Sequence, residues 1–326
     1  VKICLYGVGA VGGLIGTRLA AAGHGLNAVA RGDTLAALRE QGLGLEEADG
    51  SRRYFPIHAV AEPVELGPQD LVIVAVKQPA LAAVADAIGP LLGPHTKVLL
   101  AMNGVPWWFF DGLPGPLAGA TLDTVDPDGG LRRRIPSNQV IGCVVHIACN
   151  TPAPGVCRHG FGNGLILGEP AGGAPSAPLR AAAELLSGAG LEVKLSERIQ
   201  QDIWFKLWGN MTMNPISALT GATSDRMLDD PLVNDFCVAV MREAAEVGER
   251  IGCPVAQSPQ ERNAVTRKLG AMKTSMLQDV EAGRRLEVDA LIGVVHEIAG
   301  RVGVQVPSIA ALFGLLRLFA ETRGLR

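Results

Sequence analysis

The opening dozen residues constrain the fold of this chain more than any other stretch. An apolar run, Val1-Lys2-Ile3-Cys4-Leu5-Tyr6, leads directly into Gly7-Val8-Gly9-Ala10-Val11-Gly12. A G-x-G-x-x-G pattern alone is common. Behind a strand-like run and ahead of a helical pattern over Ala10 to Ala22, it dictates strand, tight turn and helix. The first glycine makes the turn, the second lets a pyrophosphate approach the backbone, and the third lets helix and strand pack closely. The free N–H groups and partial positive charge of the helix start then favour an anion. Gly7, Gly9, Ala10, Val11 and Gly12 are therefore candidate nucleotide-binding residues.

The pattern recurs in a way that fits a parallel sheet. Leu26 to Ala30, Leu71 to Val76 and Lys97 to Met102 are short apolar runs, and Leu71 to Val76 is nearly continuous in β-branched residues. Such runs belong to strands covered on both faces. Val140 to Ile147 and Gly164 to Leu167 add strand-like stretches, with a turn signal at Pro152, Pro154 and Gly155 between them. A short helix over Leu179 to Leu186 and a last strand over Leu191 to Leu195 follow. The expected class is α/β: an N-terminal Rossmann dinucleotide-binding domain over residues 1–196 and an all-helical C-terminal domain over 197–326. In the second half, Asp230-Pro231, Ser258-Pro259 and Pro307 mark helix starts.

The residue after the second strand bears on the cofactor. An NAD site usually has a carboxylate there for the ribose hydroxyls, whereas this chain has Arg31. A guanidinium suits a 2′-phosphate through paired, charge-assisted hydrogen bonds, so NADP(H) is expected, although Asp33 lies close by. Lys77 and Asn103-Gly104 each end a parallel strand, where open α/β sheets bind ligands.

Lys206, Asn210 and Asn214 are spaced by four and so share a helix face. Their neighbours are apolar: Ile203, Trp204, Phe205, Leu207, Trp208, Met211 and Met213. A lysine in such a setting is suited to proton donation near neutrality. Pro215 is expected to kink the helix. Ser275 and Asp279 form a second helical pair, with Glu287 two turns further on. Taken alone, this second group reads slightly better as helix-surface polarity.

Charge and cysteine content exclude several classes. With 29 basic and 32 acidic residues, and Arg132 to Arg134 as the one tight basic cluster, no nucleic-acid partner is expected. The six cysteines include no C-x-x-C pair, so neither a zinc site nor any other metal site is expected, and a reducing compartment is. No signal-peptide pattern opens the chain and no apolar run spans a bilayer. The expectation is a soluble, cytoplasmic protein with no membrane partner.

The run Lys206-Leu207-Trp208-Gly209-Asn210-Met211-Thr212-Met213-Asn214-Pro215 resembles the K-x-x-x-N-x-x-x-N-P signature of the ketopantoate reductase (2-dehydropantoate 2-reductase) family. Ser275-Met276-Leu277-Gln278-Asp279 with Glu287 is similar to that family's S-M-x-Q-D…E segment. The glycine turn, Arg31, Lys77 and Asn103-Gly104 match in order and spacing. The resemblance implies NADPH-dependent reduction of ketopantoate to pantoate, a step of pantothenate and coenzyme A biosynthesis. It implies Lys206 as the general acid and Glu287 as its orienting partner. It places Asn210 and Asn214 on the substrate hydroxyl, Ser275 on the substrate carboxylate, and Asn103 on substrate and nicotinamide. Arg31 would hold the 2′-phosphate, Lys77 would approach the cofactor ribose, and Asp279 would be structural.

One departure concerns Val105-Pro106-Trp107-Trp108-Phe109-Phe110, where family members often have small or polar residues. This segment reads either as an aromatic plug at a domain or dimer interface or as a reshaped substrate wall. Two alternatives to the main reading follow: a reductase of another 2-oxo acid, and a non-catalytic NADPH sensor. The aromatic segment and the final helix, Ile309 to Ala320, are candidate surfaces for a homodimer.

Overall fold

A computed structural model describes residues 1–326. The chain forms two compact units, Val1–Met102 with Gly130–Ile199, and Asn103–Gly129 with Gln200–Arg326. The sequence reading draws one boundary, after residue 196. The chain instead passes between units three times, because the stretch after the fourth predicted strand packs with the helices.

The first unit is built on a ten-stranded sheet. Its elements are β1 (Ile3–Tyr6), α1 (Ala10–Ala21), β2 (Leu26–Val29), α2 (Gly32–Gln41), β3 (Leu43–Glu46), β4 (Arg52–Phe55), β5 (His58–Val60), β6 (Leu71–Val74), α3 (Gln78–Ala87), β7 (Lys97–Ala101), α4 (Gly130–Arg134), β8 (Val140–Ala153), β9 (Val156–Gly168), α5 (Ala177–Gly188) and β10 (Glu192–Leu195). The strand order is β4-β3-β9-β8-β7-β6-β1-β2-β5, with β10 also on β9.

From β5 across to β8 every pairing is parallel, and Ile3 sits opposite both Leu26 and Leu71. This parallel block carries the expected Rossmann pattern. Ile3, Cys4 and Leu5 are wholly buried, as are Val72, Ile73 and Val74. That is why β1 and β6 read as continuous apolar runs rather than alternating ones. The strands predicted at Val140 to Ile147 and Gly164 to Leu167 are parts of one long antiparallel hairpin, β8–β9, turning at Pro154-Gly155.

The sequence reading missed β3, β4 and β5. In β4 the sequence is Arg-Arg-Tyr-Phe, mostly exposed at the sheet edge, so it offers no apolar run to detect. Glu46, at the end of β3, is buried to 5% exposure between Arg158 of β9 and Arg52 of β4. Its carboxylate accepts Nε–H bonds from Arg158 at 2.6 Å and from Arg52 at 2.9 Å. Those contacts hold the carboxyl below its ordinary pKa.

The second unit is helical: α6 (Ile199–Thr220), α7 (Ser224–Asp229), α8 (Pro231–Arg250), α9 (Pro259–Arg267), α10 (Ser275–Glu281), a π-helical turn over Asp289–Gly293, α11 (Val294–Val302) and α12 (Pro307–Thr322). Pro215 was expected to mark a kink, and helix α6 runs on past it to Thr220. Helices α8, α9 and α12 start at the expected prolines; Asp230 accepts from Leu232 N and Val233 N, and Ser258 forms a capping box with Glu261. No helix is long and apolar enough to cross a membrane.

Residues 103–129 belong to this helical unit. Trp107, Trp108, Phe109 and Phe110 are each at most 2% exposed, and the Phe109 ring lies 6.1 Å from Trp204 of α6. The segment is thus an aromatic plug inside the unit's own core. Glu297 of α11 fixes its far end by accepting from Asp123 N (3.0 Å) and Thr124 N (2.8 Å).

Candidate active site

In the first unit the glycine turn has the geometry that its residue types require. Gly7 follows β1 with φ of +98°, a left-handed conformation that glycine adopts without strain. A Cβ on Gly12 would stand 2.1 Å from the Gly7 carbonyl oxygen and 3.0 Å from Ala75 Cβ. A Cβ on Gly9 would meet nothing within 4 Å. Gly7 and Gly12 therefore serve close packing, whereas Gly9 fronts open space at the start of α1. No acidic residue lies in the first turn of α1, so an anion there meets N–H groups at Ala10, Val11 and Gly12 without a competing carboxylate. The turn is a cradle that fits a dinucleotide pyrophosphate. Ala75, which packs against the turn, is a residue that the sequence reading passed over. Its signal was legible as the one small residue in Leu71-Val72-Ile73-Val74-Ala75-Val76.

Arg31 ends the segment after β2 and is the N-cap of α2, with an exposed side chain. Lys77 ends the segment after β6 and is the N-cap of α3. Both stand at the carboxyl ends of parallel strands, on the same edge as the glycine turn.

In the second unit α6 sorts its side chains by face. Trp204 and Trp208 are buried to 1% exposure, and Trp208 Nε1 donates to Met241 O at 2.7 Å. Lys206, about 160–200° around the helix from both indoles at ~100° per residue, is only half-buried. Lys206 Nζ donates to Asn103 Oδ1 at 2.7 Å. Asn103 is held by the residue after it. Gly104 has φ of +88°, and a Cβ there would stand 2.5 Å from Ala290 O. Val105 N donates to that same oxygen at 3.0 Å. This close approach ties the Asn103 turn to the π-helical turn that begins two residues after Glu287, itself half-buried. A chain separation of about a hundred residues is thereby closed onto one lysine.

Asn214 is 5% exposed, and its Nδ2 donates to Ser275 Oγ at 3.3 Å. Asn210, one turn from each, is half-buried on the same face. Asp279 is 6% exposed and accepts from Arg284 Nε at 3.0 Å. The second unit thus brings together Asn103 with Lys206, and Asn214 with Ser275. The sequence reading did not single out Arg262 of α9, whose guanidinium lies beside Gly209 of α6. Its place in a polar stretch carried no apolar signal.

A cationic donor on a fixed amide, beside a hydroxyl–amide pair, can stabilise an oxygen that is gaining negative charge and then protonate it. Comparison with known proteins gives the family of the chain. Residues 3–107 match the family model described as ketopantoate reductase PanE/ApbA, and residues 198–320 match the model of its C-terminal part. A 2-dehydropantoate 2-reductase of Mesorhizobium japonicum is 43% identical over 324 residues, covering 99% of each chain. A crystal structure assigned as a ketopantoate reductase, from Ralstonia solanacearum MolK2, superposes with a TM-score of 0.96 at 58% identity, covering 100% of this chain and 99% of that one. A PanE/ApbA family ketopantoate reductase from Ralstonia eutropha JMP134 superposes at 0.84 with 26% identity, covering 99% and 100%. With both family models matched in order and relatives alike from end to end, this chain belongs to the ketopantoate reductase family.

Proposed function

We propose that this chain reduces 2-dehydropantoate to pantoate with NADPH, using Lys206 as the proton donor. One observation carries the assignment of the donor: the 2.7 Å hydrogen bond from Lys206 Nζ to Asn103 Oδ1, made within a chain of this family. Bound NADPH supplies the hydride, as cofactors carry the redox chemistry in such enzymes. Gly7, Gly9, Ala10, Val11 and Gly12 would hold its pyrophosphate, Arg31 would hold its 2′-phosphate, and Lys77 would approach the ribose.

The protein's own part is electrostatic and positional. An ammonium has three donors, and Asn103 Oδ1 takes one of them. That contact holds the ammonium in position for the substrate's 2-oxo oxygen. As negative charge grows on that oxygen the ammonium stabilises it, and proton transfer completes the alcohol. Glu287 orients Lys206. Asn210 and Asn214 receive the substrate hydroxyl, and Ser275, already paired with Asn214, receives the carboxylate. Asp279 is occupied by Arg284 and serves the frame rather than the chemistry.

The aromatic segment is fully buried, which favours packing over a substrate wall. Leu315 and Leu318 of α12 remain 59% and 58% exposed and support association with a second copy there, as a cytoplasmic homodimer. The test is NADPH oxidation with ketopantoate and a panel of other 2-oxo acids, repeated with NADH. Turnover of ketopantoate with NADPH supports the reading. NADPH binding without ketopantoate turnover overturns the substrate and leaves a reductase of another 2-oxo acid.

A further inference from the structure

On the flank of α6 next to Lys206, a second cation is held in place without a counter-ion. The Arg262 guanidinium lies over the Phe205 ring, 5.2 Å from its centroid. A Cβ on Gly209 would stand 3.1 Å from its Nη2 and 3.2 Å from its Nε. The side chain thus fills a notch that exists because residue 209 has none. Its Nε is buried with no acceptor, and no carboxylate stands within ion-pair distance of the guanidinium. The nearest acid in sequence, Glu261, is taken by Ser258 N and Oγ, both at 2.8 Å. Partial burial pushes the guanidinium below its ordinary pKa, as expected of a cation with part of its water removed and no counter-ion.

The arginine is also rigidly presented. Helix α9 is pinned by its capping box, by Asn263 Nδ2 donating to Asn234 Oδ1 at 2.9 Å, and by the Arg267–Asp229 ion pair at 3.2 Å. Around α6, Gly209 and Phe205 lie about 60° and 100° to one side of Lys206, and Asn214 lies about 80° to the other. Arg262 and the Asn214–Ser275 pair therefore flank Lys206 on opposite sides. A half-buried arginine fork with no carboxylate partner matches the geometry of a carboxylate.

We propose that the chain also reduces 2-oxo acids bearing a second carboxylate, and that Arg262 is the specificity-determining residue that receives it. This rests on the active-site reading above, with the first carboxylate on the Ser275 flank. The reaction is the same two-electron reduction: hydride from NADPH forms a C–H bond at C2, and the carbonyl π pair moves to oxygen. That oxygen takes a proton, which leaves a 2-hydroxy diacid and NADP⁺.

The probe is 2-oxoglutarate, compared with ketopantoate in steady-state NADPH oxidation, and in calorimetric titration of the NADP⁺-loaded protein. Wild type is expected to bind and turn over both. Arg262→Gln should raise KM and Kd for 2-oxoglutarate about 10- to 100-fold, the scale of a lost charged hydrogen bond. Ketopantoate KM should move less than about twofold, within the range of a substitution away from the contact. Gly209→Ala displaces the guanidinium by a few tenths of an ångström and should act weakly in the same direction, and Arg262→Lys should restore part of the loss. Equal loss for both substrates, or none for either, overturns the proposal. Turnover of ketopantoate alone by wild type overturns it and leaves the main reading intact, whereas turnover of neither substrate sinks the main reading itself.

Discussion

Replacing Gly12 or Gly9 by alanine separates two jobs that one motif performs. At Gly12 the new Cβ would stand 2.1 Å from the Gly7 carbonyl oxygen, where ordinary contact begins near 3.4 Å. The obstacle is backbone, so α1 and the turn after β1 must part by about 1 Å or more. Overpacking of this kind costs about 1–3 kcal/mol, and a rigid obstacle puts Gly12→Ala at the upper end. Removing a glycine from a helix returns ~1 kcal/mol. The net loss is about 2 kcal/mol, or roughly 4–8 °C in the melting of a unit this size. At Gly9 the Cβ meets nothing, so stability should change by less than ~0.5 kcal/mol. The methyl then stands where a pyrophosphate would approach, and Kd for NADPH should rise at least about tenfold, or ~1.4 kcal/mol. Scanning calorimetry and NADPH titration of both variants give the test. A Gly12→Ala protein that melts with wild type would refute the packing argument. A Gly9→Ala protein that binds NADPH normally would refute the assignment of the open side to the nucleotide.

Further outcomes follow from the same geometry. Lys206→Ala should lower kcat about 10²- to 10⁴-fold, the usual worth of a positioned acid, while leaving the Kd for NADPH within twofold or so; a sensor would show unchanged function, and unchanged turnover would remove Lys206 as donor. Arg31→Ala should erase most of the preference for NADPH over NADH, about 10- to 100-fold in kcat/KM, read by running both nucleotides. Glu46 has a depressed pKa in the folded state, so its contribution to stability is present above the ordinary carboxylate range and is lost as pH falls through the folded value. Glu46→Gln should therefore melt lower than wild type near neutral pH, with the difference closing in acid; a constant difference across pH would contradict the assigned cause.

Much of this architecture was readable from residue order because local and long-range demands coincide. The parallel strands announce themselves as apolar runs, since helices cover both sheet faces, and the glycine turn is legible because each glycine answers a separate steric demand. A spacing of four puts Lys206, Asn210 and Asn214 on one face of α6 through helix geometry alone. Other features depend on contacts that no local pattern encodes. Strand β4 is exposed and charged, and its place depends on Arg52 reaching Glu46. The pairing of Lys206 with Asn103 needs Gly104 pressed onto Ala290, a contact across nearly two hundred residues. Arg262 is informative through what it lacks, and a missing partner is invisible in a sequence.

The membership of residues 103–129 in the helical unit has a consequence for biosynthesis. A ribosome makes Trp107 to Phe110 well before Trp204, against which Phe109 packs. At about 5–20 residues per second, the interval is roughly 5–20 s. During that time Phe109 lacks its Trp204 contact, although the strands on either side of this segment in sequence are being completed. A nascent chain halted near residue 199 is therefore expected to bind holdase chaperones through this segment. Replacing the four aromatics by serine in that truncated chain should abolish the binding, and unchanged capture in a pull-down would contradict it. Burial of an early segment thus waits on helices that are made late.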